Sequence, residues 1–211
     1  MDNGAKIHLS KYEMEVVTDT DWILTKLAIT EKIFLFFGQM HEVYKTISIN
    51  AKEFAERFNL TKNGKISKGE NYLGLPYVML DFPSFFKRDK IFAIRTMFWW
   101  GNFFSITLHI SDQAMMQNKN LSDLFLFLKE KDFFVCVNED EWQHTFESTN
   151  YINANELELK QFCEICTKSF FKISKKIDLE KWHEVPLFLE KSYQQIIEVI
   201  NISFPAGEKV L

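Results

Sequence analysis

Apolar residues recur at three- and four-residue steps through the first third of the chain, which is the spacing of helices that bury one face. The longest such run begins near Thr18, where Thr18 and Asp21 have the spacing of a helix-capping box. Its apolar stripe consists of Ile29, Ile33, Phe36, Met40, Val43 and Ile47. A short helix is expected before it at residues 9–17, and another after it at 50–59. The pattern therefore predicts that residues 1–60 are helical.

Aromatic and β-branched residues dominate the next segment, 62–137, which is the composition of β-strands. Strand-like runs lie at 75–82, 90–100, 103–111 and 132–137, with a turn signal at 62–65 and one helical stretch at 120–130. Gly101 and Asn102 separate the second run from the third, and a glycine in the first of two turn positions favours a tight hairpin. The sequence thus predicts a hairpin over 91–111 at the centre of an antiparallel sheet.

Helical spacing returns at Asn153, which begins an Asn-x-x-Glu capping pattern. The apolar stripe that follows is Leu159, Phe162, Cys163, Cys166, Phe170 and Ile173. A last helix starts near Pro186, a residue tolerated in a first helical turn, and ends before Pro205. We therefore expect residues 153–204 to be helical. Helices on either side of a hairpin-connected sheet define an α+β fold, and the whole chain, 1–211, is expected to form a single domain.

The composition is that of a folded protein with a large core. Of 211 residues, 46% are hydrophobic, 26% are charged and 16% are aromatic, and there are only 7 Gly and 4 Pro. The formal net charge of −4 and the scarcity of arginine (Arg57, Arg88 and Arg95) argue against nucleic-acid binding. The N-terminus has no apolar run typical of a signal peptide, and three cysteines do not suggest a disulfide framework. A cytoplasmic location is therefore expected.

The stretch 91–110 is long and apolar enough to suggest a membrane span. However, it contains Arg95, Asn102 and His109, and its two tryptophans lie near the middle rather than at the ends, where a membrane interface would hold them. A hairpin explains this stretch better, and we expect no membrane partner.

Three short motifs have functional interpretations that we set aside. Cys163 and Cys166 have metal-site and redox spacing, but they fall in the middle of a predicted helix on its apolar stripe, so we predict reduced, buried, metal-free thiols. Residues 51–61 resemble the first helix of a helix–turn–helix, yet a turn rather than a recognition helix follows. The acidic run 139–141 is interpreted as a solvated helix start. We expect no metal and no cofactor.

Arg95 links the predicted fold to a possible function. With Gly101-Asn102 as the turn, Arg95 lies opposite Leu108 on the more apolar face of the hairpin. A buried guanidinium needs a negative partner, because an unpaired buried charge is very costly. Asp81 on the neighbouring strand is one candidate, and a carboxylate or phosphate of a ligand is the other. A one-residue shift of register would exchange the two faces and reverse this assignment.

Four other residues are candidates for a ligand site. His109 and Trp100 are expected on the other face of the hairpin, where polar groups and aromatic rings occur together as in a ligand cavity. Glu70 and Tyr72 lie in 68–77, the densest cluster of Gly, Pro and polar aromatic residues in the chain, and such loops often carry function. The structural alternatives are a sheet face half covered by a helix and a connector that leads into the sheet.

Three functions remain open at this point. The first is a non-catalytic binding protein with an aromatic-lined pocket on the sheet for a small molecule or a peptide. The second is an interaction protein whose Phe-rich helices form a homo-oligomer. The third is an enzyme that uses Glu70, Asp81, Arg95 or His109, although the sequence has no recognisable nucleophile–base pair or metal set. The sequence alone identifies no activity, and the first function, a non-catalytic binding protein, is the one that we expect.

Overall fold

The computed structural model describes residues 8–58, 64–88, 90–111 and 120–203. Its α-helices are α1 (Lys11–Thr18), α2 (Thr20–Asn50), α3 (Lys52–Arg57), α4 (Leu121–Glu130), α5 (Leu159–Ile165) and α6 (Val185–Ser203). Its strands are β1 (Lys65–Tyr72), β2 (Leu75–Lys87), β3 (Lys90–Trp99), β4 (Phe103–Ser111), β5 (Phe134–Cys136), β6 (Tyr151–Asn153) and β7 (Phe171–Asp178). Short 3-10 helices occupy Ala154–Glu156 and Leu179–Glu184. No described helix combines the length and the apolarity needed to cross a membrane.

The seven described strands form one sheet in the order β1-β2-β3-β4-β7-β5-β6. Every neighbouring pair is antiparallel. The β3–β4 hairpin lies in the middle of this sheet, and helices precede and follow it in the chain. The predicted α+β class is therefore confirmed.

Helices α2 and α6 pack against one face of the sheet, which we call the helix face. The buried apolar side chains of this face on β3 and β4 are Phe92, Ile94, Phe98, Phe104, Ile106, Leu108 and Ile110. The rings of Tyr44 on α2 and Tyr193 on α6 stack with their centroids 4.1 Å apart. Their hydroxyls are satisfied inside the core, at 3.0 Å from Thr96 Oγ1 and 2.7 Å from Ser48 Oγ, respectively. This pair fixes the N-terminal and C-terminal helices to each other and to the sheet.

The β3–β4 hairpin has a turn one residue longer than predicted. Trp99 pairs with Phe103, so residues 100–102 form the connection. The amide of Asn102 donates to the carbonyl of Trp99 at 3.1 Å, and Gly101 has a φ of 70°. A positive φ at this position is what a type II turn requires, and glycine adopts it without strain. The prediction of a two-residue turn at Gly101-Asn102 is therefore wrong.

The extra turn residue exchanges the faces of the hairpin. Arg95 lies opposite Thr107 rather than Leu108, and His109 pairs with Ala93. This register places every apolar residue of β4 from position 104 to 110 on the helix face, together with Phe92, Ile94 and Phe98 of β3. The predicted register instead placed them on the face that carries Arg95. Arg95 and His109, which were expected on opposite faces, share the face that points away from α2 and α6.

The prediction of continuous helix over 153–204 is wrong for its middle part. The segment Phe171–Asp178 is strand β7, which joins the sheet beside β4. Apart from Lys175, apolar and polar side chains alternate along it with a period of two, which is the pattern of a strand. Helix α5 before it has only 7 residues, and the side chain of Asn153 caps a 3-10 helix instead of an α-helix. The helix end predicted at Pro205 lies outside the described residues.

At the N-terminus, α2 begins two residues later than predicted. Asp19 is its cap, since Asp19 Oδ1 accepts a hydrogen bond from the Trp22 amide at 2.9 Å. The fully buried stripe consists of Ile33, Phe37, Met40, Tyr44 and Ser48. Of the predicted stripe, Ile29, Phe36, Val43 and Ile47 are only partly buried. The face that α2 turns to the sheet is therefore rotated by about 60° around the helix axis from the prediction.

Two predicted loops have other structures. The stretch 68–77 is mostly strand, because β1 and β2 form a hairpin that turns at Leu73 and Gly74, both with positive φ. The acidic run 139–141 starts no helix and lies in an irregular segment, 137–150, which we call the covering loop. Part of the turn predicted at 62–65 lies outside the described residues.

Candidate functional site

A row of polar side chains crosses the sheet on the face turned away from α2 and α6. From the edge strand inward, its members are Lys65 (β1), Asp81 (β2), Arg95 (β3), Thr107 (β4) and Ser174 (β7). The row begins with alternating positive, negative and positive charges and ends with two hydroxyls. Because paired strands are only about 4.8 Å apart, these groups are close enough to interact directly.

Arg95 and Asp81 form a bidentate ion pair in this row. Arg95 Nε donates to Asp81 Oδ1 at 2.7 Å, and Arg95 Nη2 donates to Asp81 Oδ2 at 3.0 Å. The two side chains are 14% and 8% exposed. This parallel two-bond geometry is the strongest arrangement of a guanidinium and a carboxylate. Asp81 is thus the negative partner that the sequence analysis proposed for Arg95.

The covering loop is held against the sheet by Lys172 of β7. The Lys172 side chain is buried, and its Nζ donates to the backbone oxygens of Glu141 at 2.8 Å and Gln143 at 2.6 Å. Burial lowers the pKa of Lys172 from its ordinary value. A lysine that satisfies two loop carbonyls in this way fixes the path of the loop across the sheet.

His109 makes the second attachment of the covering loop. Its Nε2 lies 2.8 Å from Oε2 of Glu141, and its ring contacts that of Trp142. Burial, with smaller contributions from the charges of Lys172 and Arg95, lowers the pKa of His109 to about 3. Burial also raises the pKa of Glu141. His109 is therefore neutral at physiological pH and acts here as a hydrogen-bonding group.

Tyr72 and His144 complete the polar cluster next to the ion pair. The backbone amide of His144 donates to the hydroxyl of Tyr72 at 2.7 Å. His144 Nε2 lies 3.5 Å from Arg95 Nη1, the one guanidinium nitrogen not directed at Asp81. Burial lowers the pKa of His144 well below its ordinary value, and the charge of Arg95 adds to this effect. A neutral imidazole beside the guanidinium avoids repulsion between two positive charges.

Side chains of the sheet and of the covering loop line an open cleft of about 470 Å³. Its floor is the pair of Asp81 and Arg95, and Lys65 lies at its edge. Its aromatic walls are Tyr72, Tyr77, Phe86 and Trp142. Met79 and the hydroxyls of Ser67 and Ser84 also line it. A concave site with apolar walls and a few polar groups at one end is the usual construction of a small-molecule site.

Comparisons with known protein families, with curated proteins and with solved structures find no match to this chain. The cleft must therefore be interpreted from its own chemistry.

The structure brings together some of the site residues chosen from the sequence. Arg95, Asp81 and Tyr72 all line the cleft, and His109 is buried under the covering loop on the same face. Two candidates lie elsewhere. Glu70 Oε2 pairs with Lys26 Nζ of α2 at 2.8 Å, and Trp100 lines a separate apolar groove against the start of α2.

Several residues of the site were not predicted from the sequence, namely Lys65, Tyr77, Trp142, His144 and Lys172. Lys172 lay in a segment interpreted as helix, where it had no assigned face. His144 and Trp142 belong to an irregular loop, and such segments carry no periodic signal that places their side chains. The alternation of polar and apolar residues on β7 was the available signal, and it points Lys172 and Ser174 to the cleft face.

The cysteines lie apart from the cleft floor and are free thiols. Cys166 is buried as predicted, but Cys163 on the short helix α5 is only half-buried, so the prediction of two buried thiols is wrong for it. Across the described part of the chain, no three His, Cys, Asp or Glu side chains are grouped so that they could hold a metal ion. The absence of bound metal at these thiols stays a prediction.

Proposed function

We propose that this protein binds a small planar molecule in the cleft, through a polar edge that both accepts and donates hydrogen bonds. The observation that carries the proposal is the bidentate pair of Arg95 and Asp81 at the floor of an aromatic-walled cleft. This is the first of the three functions expected from the sequence, with the position of its site now defined.

The geometry of the ion pair determines which kind of polar edge a ligand must have to bind there. Asp81 accepts one hydrogen bond from Nε and one from Nη2 of Arg95, and His144 Nε2 lies 3.5 Å from Nη1. One N–H of Nη1 and one of Nη2 therefore remain to donate to a ligand. The carboxylate of Asp81 retains acceptor capacity beside it, because an ionised carboxylate has about four lone-pair sites. A carboxamide or a similar heterocyclic edge offers an acceptor for Arg95 and a donor for Asp81 at once.

A simple anion suits this floor less well. Asp81 already neutralises Arg95, and an incoming carboxylate or phosphate would approach the negative Asp81 as well. Lys65 at the edge supplies one further positive charge, which tolerates an acidic substituent there. The anion site that the sequence analysis kept as an alternative is therefore the weaker proposal.

The walls favour a flat, apolar body for the ligand. Tyr72 and Tyr77 stand edge to face with their centroids 6.3 Å apart, and Trp142 lies on the side of the covering loop. Aromatic side chains that stack on a planar ring contribute about 0.5–1.5 kcal/mol per contact beyond the area that they bury. A volume of about 470 Å³ is within the ordinary range for small-molecule sites. A peptide group has the same donor and acceptor edge, so a short peptide is the related alternative.

Three probes of similar shape test which hydrogen-bonding groups Asp81 and Arg95 recognise in a ligand. Benzamide offers both a donor and an acceptor, benzoate offers acceptors alone, and benzamidinium offers donors alone. We expect benzamide to bind tightest, with a dissociation constant in the millimolar range or below, as measured by calorimetric titration. Replacing Tyr77 with alanine should weaken it about tenfold, whereas Glu70→Gln, outside the cleft, should leave it unchanged. Equal binding of all three probes, or no binding of any, would contradict the proposal.

A catalytic role has less support from these residues. Asp81 and Arg95 neutralise each other, and His109 is buried against Glu141. Glu70, the remaining candidate, lies away from the cleft. We likewise propose a cytoplasmic location, since the cysteines are free thiols and such thiols persist in a reducing compartment.

A second candidate function is protein interaction through the N-terminal helices. None of the residues of α1 is buried. On α2, more than half of the surface of each of Trp22, Leu24, Leu27 and Leu35 is exposed. Exposed apolar surface of this extent is uncommon on a monomer. Helix α2 packs on the helix face of the sheet, opposite the cleft, so the two functions are compatible.

A further inference from the structure

We infer that the outer face of α2 is an interface between two copies of this chain, which associate with their α2 helices antiparallel about Gly38. The outer face is the side of α2 turned away from the sheet. Its members include Leu24, Leu27, Glu31, Leu35, Glu42 and Ile49, and the partly buried Gly38 and Lys45 lie at one margin. They follow one another at the three-, four- and seven-residue steps that keep residues on one side of a helix. This inference rests on the interaction role of α2 and is independent of ligand binding in the cleft.

The outer face carries large apolar side chains that nothing in the described chain covers. Leu24, Leu27, Leu35 and Ile49 are 57%, 52%, 70% and 55% exposed. The stripe from residue 24 to 49 is about 38 Å long at 1.5 Å per residue. Helix α1, which directly precedes this end of α2, adds Tyr12 and Val17 to the exposed apolar surface. A helix as short as α1 is marginal in water without packing, so it too needs a covering partner.

The outer face is complementary to itself, which identifies a second copy as the partner. Glu31 lies seven residues before Gly38 and Lys45 lies seven residues after it. Leu27 and Ile49 are likewise eleven residues before and after it. In an antiparallel pair centred on Gly38, Glu31 faces the partner's Lys45 and Leu27 faces the partner's Ile49. Two-fold symmetry produces each of these contacts twice.

Gly38 allows the close approach that this arrangement needs. No heavy atom lies within 4 Å of the position that a Cβ of Gly38 would occupy, so the helix surface is flat and open there. Packed helices have their axes about 8–10 Å apart, and small residues at the crossing permit the shorter distances. A contact of this length with α1 beside it is on the order of 800 Å² per partner, the size of an ordinary stable interface.

Sedimentation velocity of the full chain over a range of concentrations tests the inference. We expect wild-type protein to be a dimer at micromolar concentration and Leu27→Glu to weaken association at least a hundredfold. Leu187→Glu is the matched control, because Leu187 is an equally exposed leucine (55%) on α6, outside this face. It should leave the dimer unchanged. A wild-type chain that is monomeric at every concentration, or a dimer insensitive to Leu27→Glu, would overturn the inference.

Charge exchange tests the antiparallel register. Glu31→Lys replaces two attractive contacts by two repulsive ones and should weaken the dimer roughly tenfold, as should Lys45→Glu. The double variant Glu31→Lys with Lys45→Glu restores opposite charges and should recover most of the wild-type affinity. If the double variant is no better than either single variant, the proposed register is wrong. The Leu27→Glu monomer should still bind benzamide, because the cleft lies on the opposite side of the sheet. Failure of the dimer proposal can therefore be distinguished from failure of the proposed ligand binding.

Discussion

Replacing Arg95 with methionine should destabilise the protein by about 3 kcal/mol, because it leaves the carboxylate of Asp81 nearly buried without its partner. Loss of one member of a buried ion pair costs roughly 3–5 kcal/mol, and the open cleft places this pair at the lower end of that range. For a chain of this size, the melting temperature should fall by about 6–12 °C. Arg95→Ala should cost more than Arg95→Met, since methionine preserves much of the side-chain volume.

A double-mutant cycle measured by urea unfolding separates the ion pair from simple loss of packing. Asp81→Leu alone should also be costly, whereas the double variant of Arg95→Met with Asp81→Leu should lie within about 1 kcal/mol of the wild type, because no buried charge is left unpaired. The exposed pair of Lys26 and Glu70 has a similar distance of 2.8 Å and serves as the control. Its disruption by Glu70→Gln should cost less than about 1 kcal/mol. A double variant whose loss equals the sum of the single losses would refute this reasoning.

Burial lowers the folded-state pKa of His109 to about 3, so as the pH falls below about 6.5 the unfolded chain takes up the proton first. Stability should then drop by up to about 1.4 kcal/mol per pH unit from His109 alone, in addition to a loss of the same sign from His144, whose pKa burial also lowers. His109→Gln should reduce the slope of stability against pH by its own share in urea unfolding series at pH 7, 6 and 5, and an unchanged slope would contradict the assignment. Lys172→Met should speed amide hydrogen exchange in the covering loop, 137–150, while the helices keep their protection, because two loop carbonyls lose their donor. Equal exchange in both proteins would show that other contacts hold the loop. Tyr193→Phe should cost about 1–2 kcal/mol in thermal unfolding, since the buried hydroxyl of Ser48 loses its partner, and adding Ser48→Ala should recover part of that loss.

The class of the fold could be predicted from local patterns, but its register could not. The signal at Gly101-Asn102 predicts a two-residue turn, but it conflicts with the alternation along β4, where Phe104, Ile106 and Leu108 are apolar and the residues between them are polar. That alternation favours the observed register, because it places Phe104, Ile106 and Leu108 on the helix face with Phe92, Ile94 and Phe98 of β3. A single-residue change in turn length reverses every face assignment that follows from it.

Only the part of the site that lies on two adjacent paired strands could be predicted from the sequence. Asp81 and Arg95 are cross-strand neighbours, so locating two adjacent strands was enough to propose their ion pair. Trp142 and His144 come from a loop whose path is set by Lys172, a contact between residues about 30 positions apart in the chain. Local sequence patterns carry no information about such a contact, and the segment that holds Lys172 was assigned to the wrong element.

The most direct test of the proposed function is a crystal structure of the protein soaked with benzamide. We expect density for benzamide in the cleft, with its oxygen within hydrogen-bonding distance of Arg95 Nη1, its nitrogen at the carboxylate of Asp81, and its ring against Tyr77 or Trp142. Density confined to the separate apolar groove beside Trp100, or a cleft without benzamide at saturating concentration, would contradict it.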